Sequence, residues 1–221
     1  MDFSGFLDTL DVYKDAIWQT LLMSLVSLVV SGVLGLVLGT ALYATRPGNL
    51  FGNRLVFGVI GFVVNLVRPI PFVIFLAAIT PLQIAVVRTS IGTTAVTFAI
   101  SLAAAFAVAR IVEQSLVSVD PGVVEAARAV GASRFSILVG VVVPEGLGPL
   151  ILGYTFIFIG IVDMTAQAGI VGGGGLGEYA ISYGKQQYDY GIIYVAVATI
   201  IVIVQVGQVI GNRLARGVMR R

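Results

Sequence analysis

The sequence predicts an all-α integral membrane protein with five transmembrane helices, its N-terminus outside and its C-terminus in the cytoplasm. Three observations carry that reading. Of 221 residues, 58% are hydrophobic and only 11% charged, with a mean hydropathy of +1.03. Soluble domains carry roughly 25% charged residues, so this chain lacks the charge to cover a water-facing surface. Its apolar stretches match the ~20 residues that cross ~30 Å of hydrocarbon, and its 13 Lys and Arg gather mainly at one set of stretch ends. The absence of Cys and His removes disulfides, thiolate zinc sites and the commonest general base, which disfavours most enzyme chemistry. A net charge of +2 is too small to point to nucleic acid.

The spans follow in order. The first, 16–45, lies between Asp15 and Arg46 without a charge. Within it Ser31, Gly35 and Gly39 form a small-residue row that permits close helix contact. The second, 55–87, is interrupted: Leu55 to Val67 is too short alone, Arg68-Pro69-Ile70-Pro71 follows, and Pro81 lies in the remainder. Two prolines remove backbone donors and bend the axis, so either a kinked helix crosses or an interfacial helix feeds a short one. The third, 89–110, and the fifth, 190–212, are plain apolar runs, and the fourth, 146–167, contains Asp163. Trp18, Tyr43, Tyr188, Tyr190 and Tyr194 fall near span ends, where an aromatic belt belongs.

Orientation follows from the basic residues. Arg46, Arg54, Arg110, Arg128, Arg134, Arg213, Arg216, Arg220 and Arg221 fall on one side, against Lys14, Arg88 and Lys185 on the other. The richer side is cytoplasmic. The leader carries Asp2, Asp8, Asp11 and Asp15 where a cleaved signal peptide needs positive charge, so no cleavage is expected.

The connection 113–145 reads as structured. Asp120-Pro121 is an N-cap with proline at the first helical position. Val123, Val124, Ala127 and Val130 form an apolar stripe opposite Glu125 and Arg128. Gly131 ends that helix, Ser133 caps a second, uncharged one, and Pro144 closes it. Such a hairpin either rests on headgroups or fits a groove in a soluble partner.

The pattern Glu125-Ala126-Ala127, Gly131 and Val141-Val142-Val143-Pro144 resembles the cytoplasmic EAA motif of permease subunits of binding-protein-dependent ABC importers, with Val-x-Val-Pro where Ile-x-Leu-Pro is usual. Thr45-Arg46-Pro47-Gly48, Arg68-Pro69-Ile70-Pro71-Phe72, Thr89-Ser90-Ile91-Gly92 and Val171-Gly172 to Gly177 are similar to the methionine (D-/L-methionine) uptake family. The resemblance implies a type I ABC importer permease fold in the bacterial cytoplasmic (inner) membrane. It also implies a second copy of the chain, two cytoplasmic ATPase subunits that bind ATP and Mg, and an extracytoplasmic substrate-binding lipoprotein. ATPase coupling then falls to Glu125, Ala126, Ala127, Gly131 and Pro144. The chain itself is expected to be no enzyme and to hold no metal or other cofactor, and it has no G-x-x-x-x-G-K-[ST] phosphate loop.

Gly172 to Gly177 matches G-x-G-x-x-G, but it follows a span rather than a strand and falls on the outer side. It reads instead as a flexible loop or as a close backbone approach to the passage through Gly172, Gly174, Gly175 and Gly177. Asp163 and Arg68 are the intramembrane ionisable residues and the remaining passage candidates. The family usually has a small uncharged residue at the position of Asp163, which either finds a local hydrogen-bond partner or faces the passage. Another small amino acid or glycine betaine fits the composition as well as methionine does. An ion-coupled secondary transporter would leave the hairpin without a role.

Overall fold

A computed structural model describes residues 9–219; Asp2, Asp8, Arg220 and Arg221 lie outside them. The described chain is helical almost throughout, in the order α1 Leu10–Thr45, α2 Arg54–Val67, α3 Phe72–Ala78, α4 Thr80–Val87, α5 Gly92–Val117, α6 Pro121–Ala129, α7 Arg134–Ile137, α8 Leu147–Ala168, α9 Gly175–Tyr179 and α10 Tyr190–Met219. Helices α1, α5, α8 (with its short 3₁₀ extension) and α10 are long and apolar enough to cross a bilayer.

The fold is organised on the pair α1 and α5. Lipid gives helices no hydrophobic reason to associate, so contact depends on close van der Waals fit between small residues. A Cβ added at Gly35 would lie 2.4 Å from the side chain of Val108, and one at Gly39 would lie 2.4 Å from the Ala109 carbonyl oxygen. The Ser31, Gly35, Gly39 row is therefore spent on this crossing. Higher on the same face, Ser27 Oγ donates to the Thr97 carbonyl at 3.2 Å. Helix α8 packs beside the pair: Tyr154 lies over Gly32 and donates its hydroxyl to the Gly32 carbonyl at 2.7 Å. Helix α10 closes on α8 where Gly207 meets Phe158 and Gly211 meets Thr155. The main apolar cluster runs from Met23 and Val96 through Ile100, Val108 and Val112 to Leu116, Ile137 and Val142, with smaller ones around Tyr179 and Ile192 and around Leu42 and Val64.

The second stretch, 55–87, is bent, and its first two helices pass together as a fifth candidate span. It breaks into α2, α3 and α4, and α2 and α3 meet at 110°. Pro69 and Pro71 cannot donate, and the residue before a proline is steered away from helical backbone. The Ile70 N–H makes a turn bond to the Val67 carbonyl, and Pro71 starts α3 from extended backbone, ψ 135°. Asn53 caps α2 by accepting from the N–H groups of Leu55 and Val56 at 3.1 Å. Helix α5 continues past the third predicted span, 89–110, to Val117 and carries Arg110 and Glu113, paired at 2.5 Å with Glu113 buried. The connection read at 113–145 therefore opens with the last residues of α5. Helix α10 likewise continues past the fifth predicted span, 190–212, to Met219.

Gly39→Leu is expected to destabilise the detergent-solubilised chain by about 1–3 kcal/mol or more, because the added atoms meet backbone that cannot yield. Thermal unfolding checks this against Gly58→Ala, whose added methyl meets nothing within 4 Å and which is expected to leave the midpoint unchanged.

Candidate functional site

The hairpin is built by its caps. Asp120 Oδ1 accepts from the Gly122 N–H at 2.8 Å, with Pro121 in the first helical position where no donor is missed. At the other end of α6 the Ala132 N–H donates to the Ala127 carbonyl at 3.1 Å and the Gly131 N–H to the Arg128 carbonyl at 3.0 Å. That bond pair is a Schellman turn, and it needs a left-handed residue at position 131. Gly131 supplies φ +80°, a conformation that costs other residues ~1–2 kcal/mol. Ser133 Oγ then accepts from the Ser136 N–H at 3.2 Å and starts α7.

The apolar residues divide between two faces rather than forming one stripe. Val124, Ile137, Leu138 and Val142 are buried in the core shared with Val112 and Leu116, and Ala127 packs against them. Val123 and Val130 point away, because α6 is only nine residues long and the Schellman turn swings its last residue outward. Val130 is 84% exposed and Phe135 69% exposed. They stand with exposed Glu125, Ala126, Arg128 and Gly131 on a surface that the chain leaves open.

Pro144 does not close the second helix. The chain widens into a π-helical stretch, Leu138–Val142, in which the Val143 N–H donates to the Leu138 carbonyl. The wider turn carries the helix past a residue that cannot donate, and after a single turn at Gly146 it becomes α8. Hairpin and fourth span are thus one nearly continuous helical rod. Beside the hairpin, Arg128 and Arg134 line a 790 Å³ cleft whose opposite wall is the Gly48–Gly52 connection.

At the other end of the molecule the glycine loop is held in place rather than loose. The Gly175 N–H donates to Gln19 Oε1 and the Leu176 N–H to Thr20 Oγ1, both at 2.8 Å, while the Gly174 N–H donates to Glu178 Oε2 at 2.7 Å. Gly174 and Gly175 have φ of +82° and +78°. A Cβ on Gly175 would lie 2.7 Å from Thr20 Oγ1, and one on Gly177 would lie 2.2 Å from the Ala166 carbonyl oxygen. The close approach expected of these glycines is therefore made to the chain's own α1 and α8, and of the four named only Gly172 is exposed. Gln19 and Thr20, which hold the loop, were not singled out from the sequence; their one signal is a polar pair within the apolar start of the first span. Next to them Thr9 and Tyr179 share a hydrogen bond at 2.8 Å, and burial raises the Tyr179 phenol above its usual range.

Asp163 lies on the exposed face of α8, where its Oδ2 accepts from Gln167 Nε2 at 2.7 Å. Thr165, the nearby hydroxyl, turns inward and donates to the Val162 carbonyl. Leu152, Phe156 and Asp163 recur at helical spacing along this face, and a methyl added to Gly160 would meet nothing within 4 Å. Arg68 ends α2 and is exposed; among the described residues no ion pair joins it to Asp163.

Residues 31–221 match the family model of the binding-protein-dependent transport system inner membrane component. The chain belongs to this family. The permease is 40% identical over 211 residues to the probable D-methionine transport system permease protein MetI of Vibrio cholerae, covering 96% of this chain and 94% of that one. It is 37% identical over 180 residues to the methionine import system permease protein MetP of Bacillus subtilis, covering 81% of each. A chain of the MetNI methionine ABC transporter, solved in inward-facing conformations, superposes with a TM-score of 0.93 at 34% identity over 96% of the permease and 98% of its own length. An amino acid ABC transporter crystallised with histidines shares the fold at a TM-score of 0.81 and 17% identity. The permease is thus a multi-pass inner-membrane protein of the MetI-like fold.

Proposed function

We propose that the permease is the membrane-spanning subunit of a methionine importer, working as a pair of identical chains with two ATPase subunits and an extracytoplasmic binding protein. The observation that carries this is the capped hairpin: a helix-turn-helix with exposed Glu125, Val130 and Phe135, joined to α8 through a single turn at Gly146. Likeness over nearly the full chain to methionine permeases supports the substrate. ATP-driven closure of the ATPase pair acts on the hairpin, and the rod from α7 into α8 passes that movement into the membrane.

Glu125→Lys and Gly131→Pro both lie on exposed surface. Proline at 131 also loses the bond to the Arg128 carbonyl and cannot take φ +80°. The complex carrying either variant is expected to contain an inserted permease but to lose stimulated ATP hydrolysis and methionine uptake in proteoliposomes. Normal uptake in both variants refutes the coupling role.

This reading puts the hairpin in the cytoplasm and the N-terminus outside, and the grouping of Arg46, Arg54, Arg128, Arg134, Arg213 and Arg216 supports it. Cysteine at exposed Gln187 is expected to react with an impermeant thiol reagent in intact cells, and cysteine at Ser133 only after the inner face is opened. Labelling of Ser133→Cys in intact cells reverses the orientation.

Asp163, backed by Gln167, is assigned to the passage, where its carboxylate meets the substrate amino group; exposed Gly172 lies at the outer end of the same span. A bare carboxylate in hydrocarbon costs roughly 2.5–3.5 kcal/mol, so the open face of α8 requires water or protein against it. Asp163→Asn keeps the shape and the neighbouring amide while removing the charge. It is expected to lower methionine uptake about 10-fold, equivalent to ~1.4 kcal/mol, with binding-protein docking and basal ATPase activity retained. Unchanged transport kinetics from pH 5 to 8 would leave the carboxylate a purely structural role.

A further inference from the structure

Between α1, α8 and α10 runs an apolar groove of 850 Å³. Val29 and Val33 form one wall, Val206 and Ile210 the other, and Tyr154 and Thr155 lie in the floor. Its two hydroxyls are already committed, Tyr154 to the Gly32 carbonyl at 2.7 Å and Thr155 to the Ile151 carbonyl at 2.8 Å. What remains on offer is hydrocarbon surface, which suits an alkyl chain and gives a polar ligand nothing to bind.

The position of the groove narrows the occupant further. It extends on α10 from Val202 to Leu214, about 18 Å at ~1.5 Å per residue. That is close to the thickness of one leaflet, half of the ~30 Å hydrocarbon layer. Leu36, Leu147 and Leu214 mark the end nearer the hairpin, and exposed Arg213 and Arg216 stand there, neither in an ion pair among the described residues. On α8 the floor residue Tyr154 and the exposed Phe156 are two positions apart, about 200° around the helix. The groove therefore lies on the opposite side of α8 from Phe156 and Asp163. Since the Asp163 side has to meet water or protein, the groove is the side left to the bilayer.

We infer that this groove seats one acyl chain of an anionic phospholipid from the leaflet on the hairpin side, with its phosphate held by Arg213 and Arg216. The inference rests on the membrane placement of the chain and is independent of which substrate is carried. Each arginine contributes about a 5-fold preference for the anionic headgroup.

Trp18 is the only tryptophan and lies on α1 outside the groove, so fluorescence provides the test. The full chain carrying Trp18→Phe and Val206→Trp is reconstituted into phosphatidylcholine vesicles with a minor fraction of lipid brominated in its acyl chains. Brominated phosphatidylglycerol is expected to quench the introduced indole several-fold more than the same mole fraction of brominated phosphatidylcholine, whereas Trp18 in the unaltered chain distinguishes the two much less. Adding Arg213→Gln and Arg216→Gln is expected to abolish the difference. Equal quenching by both lipids overturns the proposal in favour of ordinary bulk lipid, and no quenching by either overturns it in favour of a second protein chain in the groove. Native mass spectrometry of the chain without the introduced tryptophan supplies a second measurement: one retained anionic phospholipid per chain, lost in the double arginine variant, is expected, and none retained overturns the inference.

Discussion

The close approach of α1 to α5 is the contact on which the other positions depend. In a bilayer the apolar side chains of both helices are as well solvated by lipid as by each other, so shape complementarity, with the Ser27 hydrogen bond to the Thr97 carbonyl, holds them together. Gly35 and Gly39 allow backbone to meet Val108, Ala109 and Val112 directly. That contact fixes two ends at once. Toward the hairpin, α5 presents Val112 and Leu116 as the surface on which Val124, Ile137 and Val142 gather. Toward the glycine loop, α1 holds Gln19 and Thr20 at the height where Gly175 and Leu176 need acceptors.

Backbone satisfaction is the second constraint, and it explains why the irregular segments look as they do. Within hydrocarbon an unpaired N–H or carbonyl costs several kcal/mol, so non-helical backbone survives only where protein or water serves it. The glycine loop is served by side chains of α1 and by its own Glu178. The proline-broken stretch gives up a continuous helix and restarts it twice, at α3 and α4. Pro144 is passed by a change of helical period, which keeps the hairpin and α8 mechanically joined.

Helix α8 brings these constraints together. One side carries Tyr154, Thr155 and Phe158, held to α1 by the Tyr154 hydrogen bond at Gly32 and to α10 by the close fit of Gly207 and Gly211. Its other side is open and carries the Asp163 and Gln167 pair. That open side is mixed, with exposed Leu152 and Phe156 alongside the carboxylate.

Much of this was legible in the sequence, because the membrane imposes requirements that can be counted along a chain. Four spans follow from length and charge, the arrangement around Gly131 from the caps Asp120 and Ser133, and the Gly35 and Gly39 contact from residue size alone. What the sequence could not decide were questions of which side and which partner. The stripe from Val123 to Val130 is one face by periodicity, yet the turn at Gly131 sends Val124 inward and Val130 out. The glycines from Gly172 to Gly177 announce a close approach without saying to what, and only the folded chain places Thr20 and Ala166 against them. Arg68 and Asp163 are both ionisable groups in apolar runs, and only the folded chain shows both exposed and, among the described residues, not paired with each other. Local bonding and span length are properties of short segments and can be read one segment at a time. Facing and partnership arise only when several helices compete for the same neighbours, and that competition is settled by packing in three dimensions.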